Sequence, residues 1–404
     1  MTASRAESRA ESRDAFRRLW VLIATNFVDM MGFAIVLPLL PFYALELNAT
    51  PLMVGVITSA FSAAQILSAP IWGRVSDRYG RRPALLIGLL AAAAAYVVFG
   101  LAHTLWLLLL SRFVQGAGGG TTGVAHAYVA DTIPPGQRAR ALGWLSAATS
   151  AGVMLGPAIG SFAARWGNEA PGFVAAGLCL LNAIFAWRWL PESRVRHPVS
   201  ADAPLPPPRR PVWHMAWHVL RHPTGPVSRL VWIYAIGMLA FSSLTSVLAL
   251  YLDAEFGVTK DTIGYFFVYS GALSLVMRSL LLGPIVDRFG ETWTMRFGTL
   301  VLILGLALYP VPTSVWTLAL VIPLVPIGTA LLFPSTTSLM SRGSDREEYG
   351  LVMGTAQTFG GLSRVAAPIF ATFVFQRFGH DFPFWVAASI VGVVGVLAFT
   401  TPKP

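Results

Sequence analysis

The chain has 404 residues, 55% of them hydrophobic and 12% charged, with a net charge of +10 and a mean hydropathy of +0.63. A water-soluble domain needs about twice that charged fraction to cover its surface, and a disordered chain is polar and charge-rich, so both classes are excluded. The basic residues sit in short stretches between apolar runs, not together on one domain, which points to a membrane protein and away from nucleic acid.

The N-terminal 18 residues begin with a charged low-complexity stretch, read as a disordered or loosely helical cytoplasmic tail. The apolar run after it is too long for a signal-peptide core, so no cleavable leader is expected. Runs of about 20 residues or more, enough to cross a bilayer, are predicted at about 19–45, 53–73, 83–103, 105–130, 138–164 and 171–190. They resume at about 228–252, 261–285, 295–312, 314–340, 348–374 and 382–400. Between the sets, 191–227 holds Pro191, Pro198, Pro204, Pro206, Pro207, Pro208 and Pro211 among five arginines, and reads as a cytoplasmic linker. Within it, 213–220 predicts a short helix lying on the membrane surface. The expected fold is an all-α membrane protein of twelve transmembrane helices, in two six-helix bundles at 19–190 and 228–400.

The tail and the even-numbered connections carry Arg74, Arg78, Arg81, Arg82, Arg138, Arg140, Arg194, Arg196, Arg209, Arg210, Arg288, Arg342 and Arg346, whereas the opposite side carries Arg165, Lys260 and Arg377. By the positive-inside rule both termini are cytoplasmic. The arginine-rich, lysine-poor usage suggests a GC-rich bacterial genome and hence the inner membrane. The single cysteine, Cys179, lies in an apolar run and reads as a small buried hydrophobe, so no disulfide framework is expected.

The two halves repeat each other. Gly73-Arg-Val-Ser-Asp77-Arg78-Tyr-Gly80 returns as Gly283-Pro-Ile-Val-Asp287-Arg288-Phe-Gly290, about 210 residues later. Gly143 and Pro157 return as Gly354 and Pro368 at nearly the same offset. Parallel repeats of this kind place a substrate site near the midplane between the halves.

The run Gly73-Arg-Val-Ser-Asp77-Arg78-Tyr-Gly80-Arg81-Arg82-Pro83 predicts a close helix approach at Gly73, a tight turn at Gly80 and Pro83, and paired donors at the arginines. Met31-Gly32 and Pro38-Leu39-Leu40-Pro41 fall in the first span, and Arg112-Phe-Val-Gln115-Gly116-Ala-Gly118-Gly119-Gly120 in the fourth. Gly143, Gly152, Gly156-Pro157 and Gly160-Ser161 fall in the fifth. On these motifs the chain resembles the major facilitator superfamily, and within it the twelve-helix drug/proton antiporters, including the tetracycline and multidrug exporters. The resemblance implies a cytoplasmic latch, with Asp77 near the start of the eleventh span and Asp131 below the fourth meeting the arginines, and an antiporter motif at Gly143, Gly152, Gly156, Pro157 and Gly160. Ser161 stands where that motif has a second glycine. The second copy of the loop has Glu291 and Thr292 in place of the arginine pair, so its latch is expected to be weaker. The second half also departs from the tetracycline exporters, since its eighth and ninth spans hold no histidine or mid-membrane carboxylate.

Charges inside the apolar spans are few, and a charge at the bilayer centre costs about 2.5–3.5 kcal/mol on insertion scales, so each is informative. Asp29, midway along the first span, can carry a proton from one side to the other, or can serve as a polar link to a neighbouring helix. Arg112 occupies the family's fourth-span arginine, which implies a role near the proton acceptor. Arg278 and Arg364 are candidates for an anionic substrate, with a structural role equally open to Arg364. His126 is read as a packed polar residue, and Glu46 and Asp253 as outer-surface groups. A drug-like substrate needs a largely apolar cavity with a few polar anchors. The candidates are Asn26, Phe33, Phe61, Gln65, Gln115, Phe241, Tyr265, Tyr269, Arg278, Phe333, Gln357, Phe359 and Arg364.

The sequence has no Gly-x-x-x-x-Gly-Lys-Ser/Thr run for ATP and no serine–histidine–acid or metal-ligand cluster. The expected activity is therefore non-enzymatic: proton-coupled efflux of small hydrophobic or amphipathic compounds, without cofactor or metal, by a monomer. A carrier of a lysolipid or organic anion, and a non-transporting membrane receptor, are the alternatives.

Overall fold

A computed structural model describes residues 2–193, 212–344 and 348–400, and all the regular structure among them is helical. Among the described residues, eleven helices are long and apolar enough to cross a membrane. The first five of these are Leu19–Glu46, Pro51–Tyr79, Arg81–Gly100, Arg140–Ala164 and Ala170–Trp189. The others are Pro226–Phe256, Ile263–Phe289, Glu291–Leu308, Val315–Arg342, Tyr349–Phe378 and Phe382–Phe399. The first helix reaches back to Thr2, so the tail is helical. The short helix expected at 213–220 forms as Val212–Arg221, with Trp213, Trp217 and Leu220 exposed. The linker residues 194–211, with Arg194, Arg196, Arg209 and Arg210, lie outside the described residues, as does Arg346.

One expectation is corrected. The span predicted as continuous over 105–130 is two helices, Leu105–Gly118 and Thr121–Thr132, parted at Gly119 and Gly120. Each glycine in a helix interior costs about 1 kcal/mol relative to alanine, and here three stand in succession after Ala117. A broken helix at membrane depth must have its freed carbonyls satisfied by protein. Side chains of the second span do this: Ser68 Oγ donates to Gly116 O, Trp72 Nε1 to Ala117 O and Gln65 Nε2 to Gly119 O, at 3.3, 2.6 and 3.3 Å.

The chain divides into two compact units. The first takes in the described residues of Met1–Leu47, Ala63–Ala201 and Lys260–Val268, the second those of Asn48–Ser62, Asp202–Thr259 and Tyr269–Pro404. Each unit thus holds a short piece of the other sequence half. Membrane helices lack a hydrophobic drive to associate and pack instead through small residues. In the first unit Gly100 meets Gly172, and Gly88 meets Gly118 and Thr121. In the second, Gly298 packs on Gly328 and Gly305 on Leu324.

Candidate functional site

The interior of the first unit is a column of buried polar groups. Asp29, 8% exposed, accepts a hydrogen bond from Thr121 Oγ1 at 3.0 Å. Thr121 is the first residue of the second half of the broken helix, so the carboxylate faces the end where helix amides are unpaired. Arg112, 2% exposed, lies on the Phe99 ring at 5.2 Å, and its Nε and Nη2 have no hydrogen-bond partner. Tyr96 lies close enough to interact electrostatically with both Arg112 and Asp29. Its hydroxyl accepts from Gln115 Nε2 at 2.5 Å. No ion pair joins Asp29 to Arg112 among the described residues; the structure gathers the two around Tyr96 without pairing them.

Two cavity candidates in this unit tie helices together. Asn26 Nδ2 donates to Leu145 O at 3.3 Å and to Thr149 Oγ1 at 2.7 Å, linking the first and fifth spans. Gln65 serves the broken helix. Phe33 is half-buried and Tyr265 exposed.

The loop motif forms a network around one arginine. Arg81 Nη1 pairs with Asp77 Oδ1 at 2.7 Å, its Nε with Asp131 Oδ2 at 2.9 Å, and Nη1 also reaches Ser76 Oγ at 2.8 Å. Arg82 donates to Trp187 O, and exposed Arg78 stacks on Tyr79. Gly80 has φ +110°, where L residues are strained, so glycine makes the turn. The close helix approach expected at Gly73 is not made, because a Cβ there would meet nothing within 4 Å.

Glu192 was not a sequence candidate. Its carboxylate accepts from the main-chain N–H groups of Arg81 and Arg82 at 2.8 and 3.1 Å, capping the third span. An acid just past the sixth span, beside an arginine-rich stretch, was the available signal. The second repeat carries the same ion pair with its polarity reversed. Glu291, after Gly290, accepts from Arg342 at 3.0 Å and Ser338 at 2.6 Å, where Arg81, after Gly80, meets Asp131. Among the described residues the second repeat thus keeps one ion pair at this corner, with Arg342 supplying the cation, against the two ion pairs around Arg81 in the first.

In the fifth span, side chains at Gly152, Gly156 or Gly160 would run into the main chain of Phe27, Met31 and Ile35 of the first span. Gly143 faces open space. On its other side the Pro157–Ser161 stretch seats the eighth span: Gly264 N–H donates to Ser161 Oγ at 2.9 Å. The serine that departs from the motif thus has its own partner. The second unit repeats the arrangement, with Gly55 against Pro368 and Thr372, and Ser59 Oγ donating to Val365 O at 2.7 Å.

Among the second-unit candidates, exposed Gln357 donates to Tyr234 Oη at 3.2 Å, and Tyr234 packs edge-on to Phe333. Tyr269 Oη donates to Ala319 O at 3.1 Å. Arg364 is half-buried near Tyr234. Arg278 is exposed in a π-helical turn, Met277–Leu281, and bonds to Ser274 of its own helix at 3.2 Å. Arg296, not singled out by its position, is buried and donates to Ala398 O and Phe399 O at the end of the last span, a structural use of a cation at a helix C-terminus.

These features define a multi-pass membrane protein with an internally repeated helical bundle. The chain matches the Major Facilitator Superfamily over residues 22–280 and 230–404 and belongs to that family, whose members here are transporters. It is 28% identical to multidrug resistance protein 2 of Bacillus subtilis over 93% of this chain and 92% of that one. It is 26% identical to the class B tetracycline resistance protein of Escherichia coli over 90% and 89%. Its fold matches the crystal structure of the human organic anion transporter MFSD10 (TETRAN) with a TM-score of 0.71 at 24% identity, covering 95% of this chain and 99% of that one.

Proposed function

We propose that the protein is a proton-coupled antiporter that exports small hydrophobic or amphipathic compounds by alternating access. It would act as a monomer in a bacterial inner membrane with both termini cytoplasmic. The observation that carries this reading is Asp29, a carboxylate buried midway along a membrane span and held by a single side-chain hydroxyl. As a carboxylate it accepts from Thr121; protonated, it still accepts there but gains an O–H donor that needs an acceptor of its own, so the contacts around it change. Proton occupancy is thereby linked to the helix that starts at Thr121. Arg112, buried with two unpartnered nitrogens, supplies a cation that can stabilise the charged state when the helices shift. Relatives that confer multidrug and tetracycline resistance support export as the direction.

One proton returning across about 150 mV supplies roughly 3.4 kcal/mol, enough to sustain a gradient of about 300-fold for an uncharged solute. Reconstituted vesicles with an imposed pH gradient should accumulate a cationic dye, and a protonophore should abolish the accumulation. Dye movement indifferent to the pH gradient would sink proton coupling.

Arg278 favours a second reading, a carrier of lipids or organic anions. An exposed arginine in a membrane span needs a counter-charge, and its one hydrogen bond here is to a neutral hydroxyl of its own helix. The π turn that presents it is a distortion often found at functional positions. Uptake of an anionic amphiphile that ignores the pH gradient and is lost in Arg278→Gln would establish this reading in place of the first.

A further inference from the structure

Leu47 and the loops 100–104 and 165–169 lie at the end of the first unit opposite Gly80. A cavity of about 550 Å³ opens among them, lined in part by Tyr43, Glu46, Phe99, His103, Trp166 and Glu169. Its walls combine aromatic faces with acids. Tyr43 stacks on Phe99 with ring centroids 5.4 Å apart, and Trp166 stands at the rim, 69% exposed. Tyr43 is 6% exposed, yet its hydroxyl has no hydrogen-bond partner. Glu169 has no ion-pair partner among the described residues.

One cation already sits at this wall. Lys260, one of two lysines in the chain, places Nζ 2.7 Å from Glu46 Oε1, 2.6 Å from Asn168 Oδ1 and 5.9 Å from the centre of the Tyr43 ring. Asn168 Nδ2 donates to the other oxygen of Glu46. A carboxylate, an amide oxygen and an aromatic face around one ammonium group are the parts of an organic-cation site. With Lys260 in place, Glu46 is neutralised, while Glu169 at the wall and Asp261 near Tyr43 keep the cavity acidic.

We propose that this cavity binds an organic ammonium ion, and that Lys260 is a tethered stand-in which such a ligand displaces. An aromatic ammonium would place its charge between Glu46 and Tyr43, its ring against Phe99 or Trp166, and leave Lys260 free to turn toward Glu169 or solvent. The site is distinct from the Asp29 column and is defined by equilibrium binding, so it stands or falls independently of proton coupling.

The test is equilibrium dialysis of labelled benzyltrimethylammonium against the purified full-length protein. Lys260→Met, which removes the stand-in, should tighten binding by about tenfold. Lys260→Arg, which keeps a cation, should leave the native affinity. Adding Glu46→Gln to Lys260→Met should erase the gain. The uncharged isostere neopentylbenzene should not compete. In parallel, acylation of Lys260 by an amine-reactive reagent, scaled to that of Lys403, should rise when the probe is present. Equal affinity in native protein and Lys260→Met, or a gain that survives Glu46→Gln, would overturn the proposal.

Discussion

Exchanging the charges of Arg81 and Asp131 tests whether the loop network is an electrostatic device. At 2.9 Å and an effective dielectric constant of about 20, the pair attracts by about 6 kcal/mol before desolvation and ordering are subtracted. The Asp131 side chain is 30% exposed and that of Asp77 60%, so solvent screens both, and the net worth is on the order of 1–3 kcal/mol. Arg81→Glu would set three carboxylates together, and Asp131→Arg would set two guanidinium groups together. Each should lower stability by about 2–4 kcal/mol. The double exchange should recover at least half of the summed loss, because it recreates the polarity of Glu291 and Arg342 in the second repeat. Recovery stays incomplete because Asp77 then faces a glutamate. The caps from Glu192 use main-chain N–H groups, so they survive every variant. Cys179 is the only cysteine and is fully buried, so the onset of its reaction with a maleimide dye on heating reports unfolding. Losses in the double variant equal to the sum of the single ones would refute an electrostatic pairing of Arg81 with Asp131.

Three further outcomes follow from the geometry. Gly156→Leu should cost at least about 1–3 kcal/mol by forcing the fifth span off the first, whereas Gly143→Ala should be neutral; the same thermal assay reads both. Ser161→Ala should lower the unfolding midpoint by an amount worth about 1–3 kcal/mol, because Gly264 N–H would be left buried without an acceptor; an unchanged midpoint would show that the bond contributes nothing. Arg112→Ala should abolish gradient-driven transport while folded protein is still recovered by gel filtration, and full activity would remove Arg112 from the coupling.

The spans and their order were readable because twenty-residue apolar runs have few alternatives in a bilayer. The break in the fourth span was written in Gly118-Gly119-Gly120, yet it needed Gln65, Ser68 and Trp72 of another helix to satisfy the freed carbonyls, and no local pattern reveals those partners. Repeat matching found Asp77 with Asp287 and Gly80 with Gly290. The Glu291–Arg342 pair is not legible by residue identity, because it preserves the ion pair with its signs exchanged. Gly73 and Gly143 show the converse. A glycine in a motif reads as a contact, and only neighbouring atoms decide whether one is made. Gln65 and Asn26 are polar residues in apolar spans, and their spacing does not reveal the helix-to-helix bonds they make.

The most direct measurement compares native protein with Asp29→Asn in vesicles by two readouts: accumulation of a cationic dye against its gradient under an imposed pH difference, and counterflow of the same dye at equal pH. Counterflow retained with gradient-driven accumulation lost is the expected result, since the amide keeps the shape and the Thr121 contact but carries no proton. Native gradient-driven accumulation in Asp29→Asn would contradict Asp29 as the proton carrier.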